Sequence, residues 1–394
     1  MNDPYHVYVD LDVINNDYNS TSKPSLRFEE TRNTPFLQGD SADYFCSIVR
    51  FNIQTGNTLP VFIPRIQTGQ NNPQKTIYTV SFEYIAGSQL CKGSANVMYE
   101  PEDMTAPIPP SPITSQDLST TYYNVYNYQH FILLVNQAIF AAWANLYLDI
   151  KQKTSQSYWD TLVGVSITPW IEWDTSTNRI LITADQKLFD KALATPISLL
   201  FNERLYELFA GTPSRLGTFN NGPMYQIRFA DRIYNKATTK VPYPIEGKPD
   251  NTVSVNTLIA YQEMTSIALW NPVASIVFAS SLLPIIPTQT SAPRDVGNQS
   301  NNLISGGNNS NLLPILSDFS IAVDASNQYR PMVEYNPGAE YRLIDMNSTT
   351  NLNRIDIIVY WKDRSGGLHP FQLQPGCAAS VKIMFRRKDF SVVS

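Results

Sequence analysis

Four runs near the end of the chain decide its class: ILSDFSIAVD (315–324), EYRLID (340–345), RIDIIVYW (354–361) and ASVKIMFRR (379–387). In the last, Val381, Ile383 and Phe385 fall on one face and Lys382, Met384 and Arg386 on the other. In RIDIIVYW the polar Arg354 and Asp356 share a side. Alternation of this period marks a sheet with one face buried and one face wet. Turn formers separate the runs: Asn336-Pro337-Gly338, Asn347-Ser348-Thr349, the stretch 363–367 and Pro375-Gly376. No helical periodicity interrupts them. The stretch predicts an antiparallel β-sandwich.

Working outward, YHVYVDLDVI (5–14), YFCSIVRFNI (44–53) and TIYTVSFEYI (76–85) read as further strands, and VASIVFASSLLPII (273–286) as a long apolar one. The segment 14–39 is polar and carries a charged run, Arg27 to Arg32. Residues 100–119 hold prolines at 101, 107, 109, 110 and 112 and read as a linker or extended arm. Asn127 is a predicted cap for a helix over 128–151, whose apolar residues Phe131, Leu134, Val135, Ala138 and Ala142 follow the 3.6 spacing. A hairpin is expected around 174–178, and a second helix starting at Thr195-Pro196 and carrying Leu199, Leu200, Leu205, Leu208 and Phe209. Residues 288–311 are Asn, Gly and Ser throughout and predict a mobile surface loop. Neither group of strands suffices alone, so the expected organisation is a mainly β protein: a single jelly-roll antiparallel sandwich with an inserted mixed α/β domain. The expected divisions are 1–114 for the first part of the jelly roll, 115–250 for the insertion and 251–394 for the second part.

Composition narrows the function. Only 16% of residues are charged, against ~25% in ordinary domains. The net charge is −5, which speaks against wholesale nucleic-acid binding. The basic end, Lys382, Arg386, Arg387 and Lys388, reads as the polar face of a strand or as a contact to acidic material. Cys46, Cys91 and Cys377 lack any CxxC spacing and are expected as buried free thiols of a reducing compartment. The acidic, strand-like start MNDPYHVYVD argues against a cleavable signal peptide. The apolar runs 131–143 and 276–286 are too short or interrupted to predict a membrane span.

Chemistry-bearing patterns are weak. His6, His130 and His369 sit in a strand, at a helix start and beside a turn, and no GxSxG accompanies them. No HxH, HExxH or EF-hand loop occurs, and Asp10-Leu11-Asp12 reads as a wet strand face more than a calcium site. The carboxylate pairs Glu172/Asp174 and Glu334/Glu340 are unspecific. Trp170, Trp173, Trp270 and Trp361 read as core. The expectation is therefore no catalytic, cofactor-binding or metal site, and no enzyme.

The run SIVFASSLLPIIP … LPILSDFSIAVD … YNPGAEYRLIDMNSTTNLNRIDIIVYWKDRSGGLHPFQLQPGCAASVKIMFRRK resembles the minor capsid (penton) proteins of polinton-like viruses, virophages and adintoviruses. YHVYVDLDVINND and YFCSIVRFNIQ … LPVFIPRI are similar to the same group. The resemblance implies a jelly-roll subunit forming homo-pentamers at the five-fold vertices of an icosahedral double-stranded DNA virus, contacting major capsid capsomers and residing in the virion. It carries no individual functional residue across. The alternatives are a virion attachment protein that holds a host receptor through the insertion, and another kind of capsid subunit.

Overall fold

Every strand pairing among the described residues is antiparallel. The computed structural model describes residues 5–18, 24–37, 39–56, 58–113, 121–163, 166–219, 222–229, 233–235, 239–243, 250–285, 314–321, 332–336, 342–364 and 366–388. The loop expected at 288–311 lies outside them, as do Glu340 and part of the proline-rich arm.

In chain order, β1 (His6–Ile14), β2 (Arg27–Thr31), β3 (Tyr44–Gln54), β4 (Lys75–Ala86) and β5 (Gln89–Met98) come first. Then follow α1 (Tyr128–Lys153), α2 (Gln156–Val163), β6 (Trp170–Asp174), β7 (Arg179–Asp185), α3 (Gln186–Phe189), β8 (Ser198–Asn202) and α4 (Glu203–Leu208). Next are β9 (Ser214–Phe219), β10 (Gly222–Ile227), β11 (Ile233–Asn235), β12 (Thr239–Lys240), β13 (Thr252–Val253) and β14 (Asn256–Tyr261). The last are β15 (Val273–Ala279), β16 (Ile315–Ser320), β17 (Met332–Tyr335), β18 (Ile344–Asp345), β19 (Arg354–Asp363), β20 (Leu368–Pro370) and β21 (Ala378–Arg387).

These elements form two compact units. Unit 1 comprises Met1–Pro60, Pro272–Val323 and Tyr329–Ser394; unit 2 comprises Val61–Asn271 with Asp324–Gln328, the pentapeptide lying outside the described residues.

Unit 1 has two sheets. One runs β1-β21-β3-β17, with β18 also on β3; the other runs β16-β15-β19-β2, with β20 also on β19. The buried rows of β1 and β21 are the ones alternation predicts: Val9 and Leu11, then Val381, Ile383 and Phe385. Met384, expected on the wet face, is 2% exposed as well. The sheets meet face to face through aromatic rings. Phe51 of β3 lies 4.8 Å from Phe278 of β15 and 5.0 Å from Phe319 of β16, centroid to centroid. Burying such side chains supplies roughly 1.5–3 kcal/mol each, so this seam is a main source of the unit's stability.

Unit 2 is organised on α1. Asn127 caps it, its side chain accepting from the Gln129 N–H at 2.9 Å, as expected from sequence. By length and composition α1 could cross a bilayer, which the shorter apolar run did not suggest; its apolar window is 56% buried. Phe131, Leu134, Val135, Ala138, Ile139 and Leu146 belong to the unit's own core. The helix approaches β5 closely because Gly93 stands at the contact. A Cβ there would fall 2.1 Å from the Ala142 carbonyl oxygen and 2.2 Å from the Leu146 nitrogen. One sheet runs β5-β4-β8-β10-β9 and a second β11-β14-β7-β6. β6 is an edge strand, and Asn136 of α1 closes it: its Nδ2 donates to the Ile171 carbonyl (2.9 Å) and its Oδ1 accepts the Ile171 N–H (2.7 Å). The carboxamide replaces a rung of the missing strand.

Several expectations need correction. The helix expected from Thr195-Pro196 begins only at Glu203, capped by Asn202; Ser198–Asn202 is instead β8, inserted between β4 and β10. Leu199, Leu200 and Phe201 are fully buried there, so sheet completion overrides their helical propensity. The charged run 27–32 contains the strand β2, whose Phe28 is buried. β5 escaped notice because QLCKGSANVM is polar and holds Gly93. The units also differ from the expected divisions. β4 and β5 lie before 114, and β14 after 251, yet all three belong to unit 2. β4 pairs with β5 and β8, and β14 with β7, so pairing decides membership and strand character alone does not.

Candidate functional site

Chemistry-bearing residues are held mostly in structural roles. His369 of β20 stacks on its cross-strand partner Trp361 (centroids 4.0 Å, planes 18° apart), and its Nε2 lies 2.8 Å from the buried Asp363 carboxylate. Asp363 also accepts the Gly367 N–H at 2.9 Å. The pair locks the β19–β20 turn; among the described residues Asp363 is the one side chain that His369 hydrogen-bonds. His130 Nε2 lies 2.6 Å from the Glu100 carbonyl, and His6 packs between Tyr5 and Tyr8. No group of three or more His, Cys, Asp or Glu among the described residues could hold a metal ion. Asp10 and Asp12 are exposed, and Asp10 pairs with Lys382 (3.1 Å) and Arg50 (3.5 Å). Trp170, Trp173, Trp270 and Trp361 are all buried. Asp174 caps its hairpin turn: hydrogen bonds from Ser176 and Thr177 pull its carboxyl down to about 2.

The basic C-terminal end is matched locally. Besides Lys382 on Asp10, Lys388 reaches Asp345 at 3.1 Å and the Met346 carbonyl at 3.2 Å, and Arg386 Nε donates to the Tyr5 hydroxyl at 2.9 Å. Exposed pairs like these add little stability, but they set a carboxylate beside Lys382 and another beside Lys388. Cys46 and Cys91 are buried free thiols, while Cys377 is only half-buried. Burial pushes the Cys46 thiol up to about 12.

Asp356, placed by alternation on the wet side of its strand, is fully buried. Its carboxylate accepts from Ser280 Oγ (2.6 Å), Ser281 Oγ (2.7 Å), the Leu282 N–H (2.8 Å), the Ser281 N–H (3.2 Å) and Arg27 Nη2 (3.2 Å). Burial opposes its ionisation, yet the donors together outweigh burial and hold the carboxyl below the usual range. It thereby ties the end of β15 and the edge strand β2 to β19. The signal was present in sequence as Ser280-Ser281 closing an apolar strand.

Among the described residues two concave surfaces stand out. In unit 2 a hollow of about 370 Å³ is lined by Asp185, Gln186, Lys187, Asp190 and Asn256 together with Leu193 and Val255. Burial pushes the Asp185 carboxyl up, against its hydrogen bond from the Lys187 N–H at 2.9 Å. In unit 1 a groove of about 230 Å³ opens where β16 and β17, the outer strands of the two sheets on one side, lie near each other. Its aromatic wall is Phe319 and Tyr335, with centroids 4.3 Å apart, and Ile48 and the ion-paired Asp318 and Arg342 complete it. The opposite side of unit 1 presents β1.

A family model described as Sputnik minor capsid protein V18/19 matches residues 7–387. The chain belongs to that family. Among curated relatives, Structural protein V19 of Sputnik virophage is 28% identical over 225 residues, covering 56% of this chain and 94% of the relative. Uncharacterized protein V18 of the same virophage is 32% identical over 143 residues, 35% of this chain and 81% of the relative. Among solved structures, a chain of the Sputnik virophage seen by cryo-EM at 3.5 Å has a TM-score of 0.74 and 25% identity, with 98% of each chain covered. The mavirus penton protein crystal structure has a TM-score of 0.61 at 12% identity, covering 97% of this chain and 99% of that one, a likeness of fold. This minor capsid protein is thus structural and mainly β, and its place is in the virion capsid.

Proposed function

We propose that this minor capsid protein is the penton subunit: five copies close a ring at each five-fold vertex, against neighbouring capsid subunits, and catalyse nothing. In this reading unit 1 is a single jelly roll and unit 2 a domain inserted between its third and fourth strands. One observation carries it. Taking β1, β2, β3, β15, β16, β17, β19 and β21 as first to eighth, the sheets run 1-8-3-6 and 2-7-4-5. That interleaving is the two-sheet, doubly folded Greek key of the viral jelly roll. Likeness to the mavirus penton over nearly the whole chain supports the same reading. Mass photometry of the full chain tests it: the expected particle has five times the 44.4 kDa chain mass, about 220 kDa. A chain that stays monomeric at all concentrations and never enters particles overturns it.

The hollow of unit 2, which sets polar groups beside Leu193 and Val255, favours a compatible second role in attachment. Its mixture of carboxylate, amide and ammonium groups suits the hydroxyls of a host glycan. A glycan array probed with the full chain should then show binding that Asp190→Ala weakens; an array blank at high protein concentration removes this role.

A further inference from the structure

We propose that unit 1 carries both halves of a head-to-tail contact between copies: edge strand β1, led by Tyr8, seats in the β16–β17 groove of a second copy of this chain. This rests on the ring reading above and names its surfaces. The first ground is an unmet hydrogen bond. Ser317 lines the groove, is 5% exposed, and its hydroxyl has no hydrogen-bond partner. Buried polar groups are rarely left so unless something absent completes them. The neighbouring Phe319 and Tyr335 rings make the pocket suited to an aromatic ring with a polar tip.

The second ground is the opposite side of the same unit. Among the described residues β1 pairs only with β21, so its other backbone edge, nine residues long, has no strand beside it there. Tyr8 is 54% exposed there, and among the described residues its hydroxyl makes no hydrogen bond. Four residues on, Asp12 faces the same way and pairs with no cation among the described residues. The groove's rim offers the complement. Arg342 is ion-paired with Asp318, but its side chain is 67% exposed, and a guanidinium has donors for a second carboxylate. A phenol for the orphan hydroxyl and a carboxylate for the guanidinium thus lie on one strand.

The third ground is symmetry. The groove and β1 occupy opposite edges of the unit, so a contact between them is heterologous and repeats around a ring. A symmetric β1-to-β1 pairing over the whole strand would set the two Asp10 carboxylates opposite each other, which opposes it.

The test uses the full chain. Tyr8→Ala, Asp12→Arg, Arg342→Asp and the double Asp12→Arg/Arg342→Asp are compared with wild type by native mass spectrometry and mass photometry. Thermal melts check that each folds, and the exposure of Tyr8 and Asp12 makes intact folding the expected result. Each single variant should raise the concentration at which rings fall apart roughly tenfold, and the charge swap should recover most of it. In parallel, Tyr8→Cys/Ser317→Cys treated with a bis-maleimide, which spans the length of a tyrosine side chain where a direct disulfide is too short, should give a covalent ladder ending at the ring, absent from either single cysteine variant. Wild-type rings unaffected by these changes, with no ladder, overturn the contact and leave the ring standing. A wild-type chain that forms no ring overturns both.

Discussion

Asp356→Ala should unlatch unit 1, and the structure sets the size of the effect. The carboxylate takes five hydrogen bonds from Ser280, Ser281, Leu282 and Arg27. Ser281 and Leu282 are exposed, so water takes over much of their bonding after truncation, whereas Ser280 is fully buried and has no such recourse. Stranding one dry hydroxyl and weakening several charge-assisted bonds amounts to about 3 kcal/mol. Urea titration followed by tryptophan fluorescence reads this as a lower midpoint for the transition reporting Trp361. The pH dependence has a definite sign. Because the folded carboxyl is held below the ordinary value near ~3.9, its contribution is complete above that pH and is lost as the medium becomes more acid. The gap between wild type and Asp356→Asn should therefore be widest near neutrality and narrow below about pH 4. A loss under ~1 kcal/mol for the alanine variant, or a gap unchanged down to pH ~3, refutes the latch.

Gly93→Ala should prevent unit 2 from folding normally, since its methyl meets helix backbone on two sides; a cost of at least ~3 kcal/mol is expected, read by circular dichroism and soluble yield. Asn136→Leu leaves the Ile171 amide and carbonyl unpaired at the edge of β6 and should cost roughly 2 kcal/mol in denaturant melts, with more aggregation on heating by light scattering. Native-state labelling with a thiol reagent at pH 8, read by peptide mass spectrometry, should modify Cys377 well ahead of Cys46 and Cys91, whose thiols burial holds above the usual range; Cys46 reacting as fast as Cys377 contradicts the packing of β3.

Alternation made the strands of unit 1 legible. β1 alternates between a buried and an exposed row, whereas β3, β19 and β21 set a buried row against a partly covered one in which Ser47, Asp356 and Met384 are buried as well. What alternation lacks is any statement of partner. TIYTVSFEYI reads as a good strand in either unit, and only its ladder to β5 and β8 assigns it. The Ser198–Asn202 segment failed differently: Pro196 and a run of leucines suit a helix, and a slot between two other strands decides otherwise. Asp356 was misplaced because period-2 reading treats a carboxylate as wet, whereas this one has donors enough to be dry. The groove of unit 1 was invisible in sequence because it joins Ile48 of β3 to residues 317–342, far along the chain. Tyr8 alone was in plain view, as an aromatic on a polar row.

β21 lies between β1 and β3, in register from His6↔Arg386 on one side to Tyr44↔Arg387 on the other. A nascent chain on the ribosome can hold β1 and β3 for the whole time it takes to make everything up to residue 378, but it has nothing to place between them. Closure of that sheet is thus postponed until β21 has been made, and loop-closure entropy makes it a slow, late step. If ring formation needs the completed sheet, half-made subunits are unable to enter a capsid, and the order of synthesis itself acts as a proofreading step for the shell.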